Sequence, residues 1–456
     1  MDLFAPSDPR PVHFMGIAGA GMSALALIAR RQGVPVTGCD PEPSGAADVA
    51  ALGAVVHPGH DPAHVEGARA VVVTAAVPPH HAELERARAL GVPVVPRKQA
   101  LAQLVSAGKV VGVSGTHGKS TTTVMTTEAL IAADLDPTGV AGGRVEAWGG
   151  NARLGGNKLF VVESDEYDQA FLALTPSIAI VNNVEADHLE CYGSLEALET
   201  AFVTFANRAE RVIIGANDAG AARVARRLSV PVWRFGTGEA DLRLTEIEQG
   251  KDGSRSTLVL PDGHRITLAL RVPGLHNLRN ATAAVGAVLA LGGALEPALE
   301  ALARYGGLGR RFERLGKSGG IDIVDDYAHH PSELAATLSA ARQAFPGQRL
   351  VAVFQPHLYS RTETHGEAMG RELAAADLVF VTEVYGAREQ PIPGVSGERV
   401  AEAARRAGAE TIFEPDRSAV TRRVLASLLP GDIVITLGAG DITRVSRELF
   451  ECLRSA

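Results

Sequence analysis

The sequence predicts an α/β protein, and three observations support this class. The chain has 456 residues, which is too long for one ordinary hydrophobic core. It contains 49 glycines but only 5% aromatic residues, a balance that favours many tight strand-to-helix turns over a β-sandwich. Short apolar runs, each followed by a glycine-rich or polar turn and then by a helical pattern, recur along the chain. Such alternation is typical of parallel sheets covered by helices.

Composition also limits the compartment and the partners. The net charge of −8 and the pI near 6.0, without a clustered basic run, argue against nucleic acid or an anionic membrane surface as a partner. Three widely spaced cysteines predict no disulfide framework and suit a reducing compartment. Residues 1–10 lack the order of a signal peptide, and the longest uncharged stretch, 281–295, is short for a membrane span. We therefore expect a cytoplasmic protein without membrane insertion, either a monomer or a homodimer.

The first segment begins with a βαβ pattern. Val12 to Gly16 is an apolar strand followed by a glycine turn and a helical stretch, and Val34 to Gly38 is the next strand. Gly19 and Gly21 satisfy a permissive dinucleotide fingerprint, and Asp40 stands near the place expected for a ribose-binding acid. This pattern fits NAD, but it equally fits any diphosphate on a helix N-terminus or a purely structural turn. Strand patterns at 70–74 and 92–95 complete a small parallel sheet.

The second segment opens with a candidate phosphate-binding loop. Residues 112–120 read Gly-Val-Ser-Gly-Thr-His-Gly-Lys-Ser directly after an apolar strand. Glycines let backbone N–H groups approach a phosphate, Lys119 supplies positive charge, and the Ser120 hydroxyl suits Mg²⁺. Val113 stands where the common pattern has its first glycine, so a structural turn is the alternative. The candidate loop residues are Gly115, Thr116, His117, Gly118, Lys119, Ser120 and Thr121.

Two further apolar strands, at 158–162 and 177–181, are followed by acids and a histidine. The carboxyl ends of parallel strands share one edge of a sheet, which is where ligands bind. We therefore expect Glu163 and His188 to meet a nucleotide-bound Mg²⁺. For the other acids a helix N-cap is at least as good an interpretation, and these are Asp165, Glu166, Asp168 and Asp187.

The end of the second segment combines an insertion with a polar helix start. Residues 242–270 alternate polar and apolar side chains around glycine turns, which predicts an inserted β-meander. His276, Asn277 and Asn280 then open an alanine-rich helix, and they either cap it or hold a ligand.

The third segment follows a glycine-rich, basic connector around Arg310. Five more apolar strand patterns, at 321–324, 350–354, 378–382, 411–413 and 433–437, predict another doubly wound sheet. Polar clusters follow two of these strands, at 325–331 and 355–362. The adjacent His329 and His330 lack a third ligand at metal spacing, so a substrate rim or a helix cap is favoured over a metal site.

Seven of these motifs, taken in order, resemble the motifs of the Mur ligase family of peptidoglycan synthesis. They read Gly-Thr-His-Gly-Lys-Ser, Glu-Ser-Asp-Glu-Tyr-Asp, Asn-Val-Glu-Ala-Asp-His, Gly-Leu-His-Asn-Leu-Arg-Asn-Ala, Gly-Arg-Arg-Phe, Asp-Asp-Tyr-Ala-His-His-Pro and Gln-Pro-His-Leu-Tyr-Ser-Arg-Thr. The resemblance covers essentially the whole chain and accounts for the irregular glycine spacing of the loop. It implies three domains: a Rossmann-like UDP-binding domain over 1–106, a central ATP-binding domain with a parallel sheet and a small antiparallel insertion over 107–313, and a Rossmann-like ligase domain over 314–456.

The resemblance implies an ATP-dependent amide ligase that uses Mg²⁺. The motifs are most similar to the branch that joins L-alanine to the lactyl carboxylate of UDP-N-acetylmuramate through an acyl phosphate. A branch that adds a preformed tripeptide is the alternative, since residues 165–168 resemble it, although residues 355–362 do not. A nucleotide-sugar dehydrogenase and a non-catalytic nucleotide-binding scaffold are the alternatives from other classes.

The resemblance also assigns roles to residues. The implied catalytic residues are Lys119, Glu163, His188 and Arg361, and the implied metal ligands are Ser120, Glu163 and His188. Besides the loop, the implied ATP contacts are His276, Asn277, Asn280, Arg310 and Asp326. The implied substrate contacts are Gly19, Gly21, Asp40, Thr74, Asn151, Arg153, Tyr327, His329 and Arg361.

Overall fold

The computed structural model describes residues 2–74, 76–387 and 389–455, and it divides into two compact units. Unit 1 comprises Met1–Thr245, Thr257–Leu268 and Arg279–Ala303, and unit 2 comprises Glu246–Ser256, Ala269–Leu278 and Arg304–Ala456. Three sheets with mostly parallel pairing confirm the predicted α/β class. Among the described residues, no helix combines the length and the apolar character that a membrane span requires. The boundaries expected at residues 106 and 313 stay predictions.

The N-terminal sheet lies in unit 1. Its strands are Val12–Met15 (β1), Val36–Asp40 (β2), Val55–Pro58 (β3), Ala70–Val73 (β4) and Val94–Pro96 (β5), and its helices are Ala20–Arg31 (α1), Ala47–Ala51 (α2), Ala82–Ala89 (α3) and Arg97–Val105 (α4). All neighbours are parallel, in the order β3-β2-β1-β4-β5. Alternate side chains enter different cores, since Phe14 packs with α1 whereas Met15 and Cys39 pack with Leu84 of α3. Because β1 pairs in parallel with both β2 and β4, the carboxyl ends of these three strands meet at one edge of the sheet.

The second sheet has ten strands in the order β15-β14-β13-β12-β11-β10-β6-β9-β7-β8. The strands are Lys109–Ser114 (β6), Thr138–Val145 (β7), Gly150–Arg153 (β8), Leu159–Glu163 (β9), Ile178–Val181 (β10), Arg211–Gly215 (β11), Val232–Gly236 (β12), Leu242–Gly250 (β13), Gly253–Val259 (β14) and Arg265–Leu270 (β15). The helices are Lys119–Ala132 (α5), Leu189–Tyr192 (α6), Leu195–Ala206 (α7), Ala219–Ala225 (α8), Leu275–Ala290 (α9) and Leu295–Arg304 (α10). The strand β6 lies between β10 and β9 in parallel register, which brings three strand ends together.

The third sheet lies in unit 2 and has the order β16-β17-β21-β18-β19-β20. The strands are Glu313–Ser318 (β16), Ile321–Asp326 (β17), Leu350–Phe354 (β18), Leu378–Val381 (β19), Glu410–Phe413 (β20) and Ile433–Leu437 (β21), and the helices are Pro331–Ala344 (α11), Tyr359–Leu373 (α12), Gly397–Arg406 (α13), Arg417–Leu425 (α14) and Thr443–Ser455 (α15). Only the β16–β17 pair of this sheet is antiparallel in the described residues. Two cores, one on each face, cover β17, β18 and β21.

Most predicted strands are confirmed, whereas β3, β7, β8, β11, β12 and β16 were not predicted. The 242–270 insertion forms β13, β14 and β15, which are successive neighbours in the sheet. The strand β7 was missed because it contains three glycines and no apolar alternation, and β3 because its Val55 is exposed at the sheet edge. Residues of this kind become strands through their neighbours, which the local pattern does not reveal.

Candidate nucleotide and substrate site

The candidate phosphate loop, residues 115–121, occupies the carboxyl end of β6 and leads into α5. Gly118 has a φ of +78° directly before α5 begins at Lys119. A Cβ at Gly118 would lie 2.9 Å from Asn280 Oδ1 and 3.1 Å from Asn182 Nδ2, so both conformation and space require glycine here. The predicted strand, loop and helix passage is therefore confirmed. Its role as a phosphate site stays a prediction, which the backbone N–H groups at the start of α5 support.

Lys119 lies at the centre of the phosphate loop. Its Nζ donates to the carbonyls of Gly115 and Thr116 at 2.8 and 3.2 Å, and to both Glu166 oxygens at 2.9 and 2.8 Å. Burial disfavours the ammonium charge, but the Glu166 and Asp165 carboxylates more than offset this and raise the pKa of Lys119. Glu166 occupies the N-cap position of the 3₁₀ helix Tyr167–Ala173, but its side chain makes no capping hydrogen bond and pairs with Lys119 instead. The sequence did not indicate this ion pair, because it depends on which side chains are buried together.

Ser120 and Glu163 form the second feature of this site. The Ser120 hydroxyl donates to Glu163 Oε1 at 3.0 Å, and the Gly142 N–H donates to Glu163 Oε2 at 2.6 Å. Burial raises the pKa of the Glu163 carboxyl. The sequence placed Glu163 after a strand, and the structure places it as the last residue of β9. Two adjacent hard oxygen donors at this edge have the chemistry that Mg²⁺ prefers.

Two asparagines after β10 fix the phosphate loop, and the sequence reading gave them no role. Asn183 Oδ1 accepts the His117 N–H at 2.8 Å, and Asn182 Nδ2 donates to the His117 carbonyl at 3.2 Å. Asn182 also donates to Thr122 Oγ1 at 3.0 Å, and Thr116 Oγ1 accepts the Glu185 N–H at 2.8 Å. The doubled asparagine is the signal that was available, because two amides after a buried strand have backbone groups to satisfy.

His188 lies beyond these asparagines in the same strand-end segment. It has a φ of +54°, its Nδ1 is 3.4 Å from Glu190 Oε1, and its Nε2 is 3.7 Å from Asp187 Oδ2. The Tyr167 ring lies edge-on at 5.0 Å. Its direct contacts are therefore with acids and an aromatic ring, and its predicted role as a metal ligand stays a prediction.

The glycine turn after β1 is the candidate UDP site. Asp40 Oδ2 accepts the Ala18 N–H at 3.0 Å, so this carboxylate orders the turn. A Cβ at Gly21 would lie 2.7 Å from Arg97 Nη1, which places a guanidinium against the start of α1. Gly19 is the N-cap residue of α1, without a side chain that would compete for its N–H groups. Arg97 was missed because it belongs to α4, far away in sequence.

Three other predicted substrate residues differ in whether their side chains already have hydrogen-bond partners within the protein. Thr74 Oγ1 accepts the Ala76 N–H at 3.2 Å, which shapes the turn after β4. Arg153 donates to the Pro137 carbonyl at 2.7 Å and pairs with Asp136. Asn151 is 9% exposed, and its Oδ1 has no hydrogen-bond partner among the described residues. Among these three residues, Asn151 is therefore the one whose side-chain oxygen is available to accept a hydrogen bond from a ligand.

The polar start of α9 contributes two asparagines with different contacts. Asn277 is buried in unit 2, and its Nδ2 donates to the Pro273 carbonyl at 2.7 Å. Asn280 belongs to unit 1 and lies beside Gly118 of the phosphate loop. His276 packs its ring against Gly274, close to the position of a Cβ there. Asn277 acts locally at the helix start, whereas Asn280 reaches the candidate site.

In unit 2, Arg310 and Tyr327 lie together at the carboxyl edge of the third sheet. The Arg310 guanidinium lies 4.8 Å from the centre of the Tyr327 ring and donates to the Gly438 carbonyl at 2.6 Å. Asp326 accepts the Phe312 N–H at 2.6 Å and the Ala328 N–H at 2.8 Å. Burial raises the pKa of Asp326 to about 6. Asp326 therefore holds the basic connector onto the sheet.

His329 and Arg361 border the same edge of unit 2. The His329 and His357 ring centres are 6.0 Å apart, and Arg361 Nη1 is 3.4 Å from His357 Nδ1. Burial, with help from neighbouring His329 and Arg361, lowers the pKa of His357 to about 4. His357 belongs to the motif at 355–362, but the sequence indicated no role for it. Its neutral ring lies between His329 and Arg361, so it belongs to the same candidate substrate rim.

Three domain models match the chain. The Mur ligase family, catalytic domain model matches residues 11–109, the Mur ligase middle domain matches 113–288, and the Mur ligase, glutamate ligase domain matches 310–440. A UDP-N-acetylmuramate–L-alanine ligase of Cutibacterium acnes is 43% identical over 99% of this chain and 98% of its own. One of Salinibacter ruber is 40% identical over 98% and 95%.

Two solved structures are similar over almost the whole chain. A UDP-N-acetylmuramate-alanine ligase of Thermotoga maritima has a TM-score of 0.81 at 28% identity, covering 98% of this chain and 99% of its own. A murein peptide ligase of Psychrobacter arcticus has a TM-score of 0.70 at 25% identity, covering 98% and 99%.

Proposed function

Because the chain belongs to the Mur ligase family, we infer that it joins L-alanine to UDP-N-acetylmuramate, using ATP, in peptidoglycan precursor synthesis. The observation that supports this substrate pair most directly is similarity at 40–43% identity to ligases named for it, over 96–99% of the chain. A dehydrogenase would not require the phosphate loop or Glu163. A non-catalytic scaffold would not require the buried ion pair of Lys119.

The reaction needs an activated carboxyl group because an amine does not displace oxide from a carboxylate. The lactyl carboxylate attacks the γ-phosphate of ATP, forms an acyl phosphate and releases ADP. The L-alanine amine then attacks the acyl carbon, and phosphate leaves from the tetrahedral intermediate. Such transfers depend on positioning and charge neutralisation. Lys119 suits charge neutralisation, since its side chain is 14% exposed and already pairs with the anionic Glu166. The negative charge of a triphosphate can pair with the same ammonium group.

Mg²⁺ is the metal that this chemistry implies, and Ser120 and Glu163 fit it. Their oxygens are 3.0 Å apart at the start of α5 and the end of β9, where both can face one cation. Mg²⁺ bound here would neutralise phosphate charge. The Gly142 N–H and the strand β9 orient Glu163 for that task. His188 would hold a second cation as the resemblance implies.

The UDP moiety is proposed to bind at the N-terminal sheet. Gly19 and Gly21 leave the N–H groups of α1 open to a diphosphate, and the Arg97 guanidinium beside Gly21 adds positive charge. The unpartnered Asn151 Oδ1 is proposed to accept a hydrogen bond from the sugar. Asp40 and Thr74 support the site by ordering the turns that carry it.

Unit 2 is proposed to supply contacts to the nucleotide and the amino acid. Arg310 and Arg361 offer guanidinium groups that suit phosphate or carboxylate, and Tyr327 and His329 supply polar ring edges. Asn280 is proposed to contact ATP, and its position beside Gly118 of the phosphate loop supports this role. Each of these roles rests on placement at a sheet edge together with the family resemblance.

A phosphate-release assay tests this function. Purified protein receives ATP, Mg²⁺ and UDP-N-acetylmuramate with either L-alanine or the tripeptide L-alanyl-γ-D-glutamyl-meso-diaminopimelate, and mass spectrometry identifies the product. We expect release with L-alanine and a product heavier by one alanine residue. Release with the tripeptide alone would show instead the activity of a murein peptide ligase.

A further inference from the structure

The face of the N-terminal sheet that packs against α3 carries a cluster of imidazole, thiol and carboxylate groups without a role in the proposed reaction. We call it the histidine cluster, and its members are His13, Cys39, His57, His60, His64, His81 and Glu83. They come from β1, β2, β3, the loop that follows β3 and carries His60, a 3₁₀ turn at Pro62–Val65 and the start of α3. Residues that offer nitrogen, sulfur and oxygen donors to one point are the usual ligands of transition metals.

Three donor atoms of the cluster form a nearly equilateral triangle. Cys39 Sγ is 3.3 Å from His60 Nδ1 and 3.4 Å from Glu83 Oε2, and His60 Nδ1 is 3.1 Å from Glu83 Oε2. Zinc bonds of about 2.3 Å to sulfur and about 2.0–2.1 Å to nitrogen or oxygen give tetrahedron edges of roughly 3.3–3.6 Å. The observed triangle therefore fits one face of a zinc coordination tetrahedron.

His13 is placed to supply the fourth ligand. It is fully buried, its Nδ1 lies 3.0 Å from Thr37 Oγ1, and its Nε2 has no hydrogen-bond partner among the described residues. A ligand atom of His13 lies within 4.8 Å of those of Cys39 and Glu83. Metal-binding histidines typically engage one ring nitrogen in a hydrogen bond and turn the other to the metal. The unpartnered, buried Nε2 is thus an observation independent of the triangle.

The surroundings of Glu83 also match a metal ligand. Its Oε2 faces the triangle, while its Oε1 accepts the Asp61 N–H at 3.1 Å and lies 3.0 Å from His64 Nδ1. Glu83 is fully buried, and its ion-pair partners in the described part of the chain are histidines rather than lysine or arginine. A buried carboxylate needs compensating positive charge, and a ligating carboxylate is commonly held by a second hydrogen bond.

We propose that the histidine cluster binds one divalent transition-metal cation of the zinc type, with Cys39, His60 and Glu83 as ligands. His13 completes the coordination. Binding forms a sulfur–metal bond as the Cys39 thiol loses its proton to solvent. The cation reaches the site past His60 and His81, whose side chains are 30% and 23% exposed.

The proposed site lies directly behind the candidate UDP turn. The Cys39 carbonyl accepts the N–H groups of Gly16 and Ile17 at 2.8 and 3.1 Å, and the next residue, Asp40, holds Ala18. A cation that fixes the Cys39 side chain therefore also fixes the backbone that supports the glycine turn. The role we assign to the cation is structural, and its binding can be measured without the ligase assay.

Metal analysis of the full-length protein, purified without a histidine tag, tests this proposal. The protein is saturated with Zn²⁺, passed through a desalting column and measured by elemental mass spectrometry, and Zn²⁺ affinity is measured against a chromophoric chelator. Co²⁺ is used as a spectroscopic probe, because a Co²⁺–thiolate bond gives a charge-transfer band in the near ultraviolet. We expect one tightly held Zn²⁺ per chain and a thiolate band with Co²⁺.

Variants assign the site and keep the test decisive. Cys39→Ser should abolish the thiolate band and weaken Zn²⁺ binding by about tenfold or more, and Glu83→Gln and His60→Ala should weaken it similarly. His60→Ala is the variant to rely on if the buried changes impair folding, since its side chain is partly exposed. The matched controls are Cys191→Ser and His80→Ala, whose side chains lie outside the cluster, and they should bind as the wild type does. Absence of bound Zn²⁺, or binding that these three variants leave unchanged, would overturn the proposal and identify a hydrogen-bonded network only.

Discussion

The phosphate loop and the histidine cluster are both built around a buried glutamate, but they meet its charge in opposite ways. In the loop, Glu166 faces the fixed ammonium of Lys119 at 2.8 Å. In the cluster, Glu83 faces histidine nitrogens and the Cys39 thiol, which carry no fixed charge. A fixed cation suits an exchangeable anionic ligand such as a phosphate, whereas neutral nitrogen and sulfur donors suit a soft cation.

The two regions also differ in how their residues are arranged along the chain. The loop needs successive backbone N–H groups to surround a phosphate, so its residues are contiguous from 115 to 121. The cluster needs only side-chain atoms that converge on a point, so its residues span positions 13 to 83. The first arrangement produces a motif, and the second produces none. Four changes test the charges on which this contrast rests.

Lys119→Ala should have the largest effect, because it removes the only fixed charge of the loop. We expect ligation to fall roughly 10³-fold, since the loss of one preorganised charge contact to a transferring group costs about this much. Steady-state phosphate release with L-alanine measures it, and circular dichroism checks the fold. The exposed Lys158→Ala is the matched control and should stay active. Substantial phosphate release by a folded Lys119→Ala variant would show that the loop does not depend on a fixed positive charge.

Glu166→Gln should destabilise the protein by about 3 kcal/mol, because it leaves the Lys119 ammonium buried without its carboxylate. Chemical denaturation measures the free energy of unfolding. ATP should then stabilise the variant more than the wild type, since phosphate replaces the missing charge. Glu196→Gln, an exposed change on α7, is the control. Equal unfolding free energies for Glu166→Gln and wild type would mean that this ion pair contributes nothing net.

Glu163→Gln should lower activity roughly 10–100-fold and shift the Mg²⁺ dependence to higher concentration, because it removes charge from a proposed metal ligand while keeping its shape. A Mg²⁺ titration of the initial rate measures both quantities. The exposed Glu146→Gln should leave the titration unchanged. A titration curve that overlays the wild type would show that Glu163 only anchors Ser120 and Gly142.

Asp326→Asn should have the smallest effect of the four changes. Asp326 is a third kind of buried carboxylate, because it accepts hydrogen bonds from the backbone N–H groups of Phe312 and Ala328. Burial raises its pKa from 3.8 to about 6, so the native state binds more protons than the unfolded state between these values. Stability contributed by this group therefore falls as pH rises, by about 1 kcal/mol between pH 5 and pH 7. Asp326→Asn should remove this part of the slope of unfolding free energy against pH. Identical slopes would contradict the raised pKa.

The sequence alone was sufficient for the features that depend on local chain geometry. The glycines and Lys119 of the loop, the strand ends that carry Glu163 and Asp326, and the meander after residue 242 all follow from neighbours in the chain. A turn with positive φ, a buried parallel strand or a helix start requires particular residues within a few positions. The motifs that resemble the Mur ligase family are contiguous for the same reason.

Only the tertiary structure decided which polar groups face one another. It paired Lys119 with Glu166, placed Arg97 against Gly21, and gathered His13, Cys39 and Glu83 from separate elements. These contacts join residues tens of positions apart, and they depend on strand order and on which face of a sheet a side chain occupies. Burial then sets the strength of each charge interaction, and burial is a property of the packed molecule rather than of a stretch of sequence.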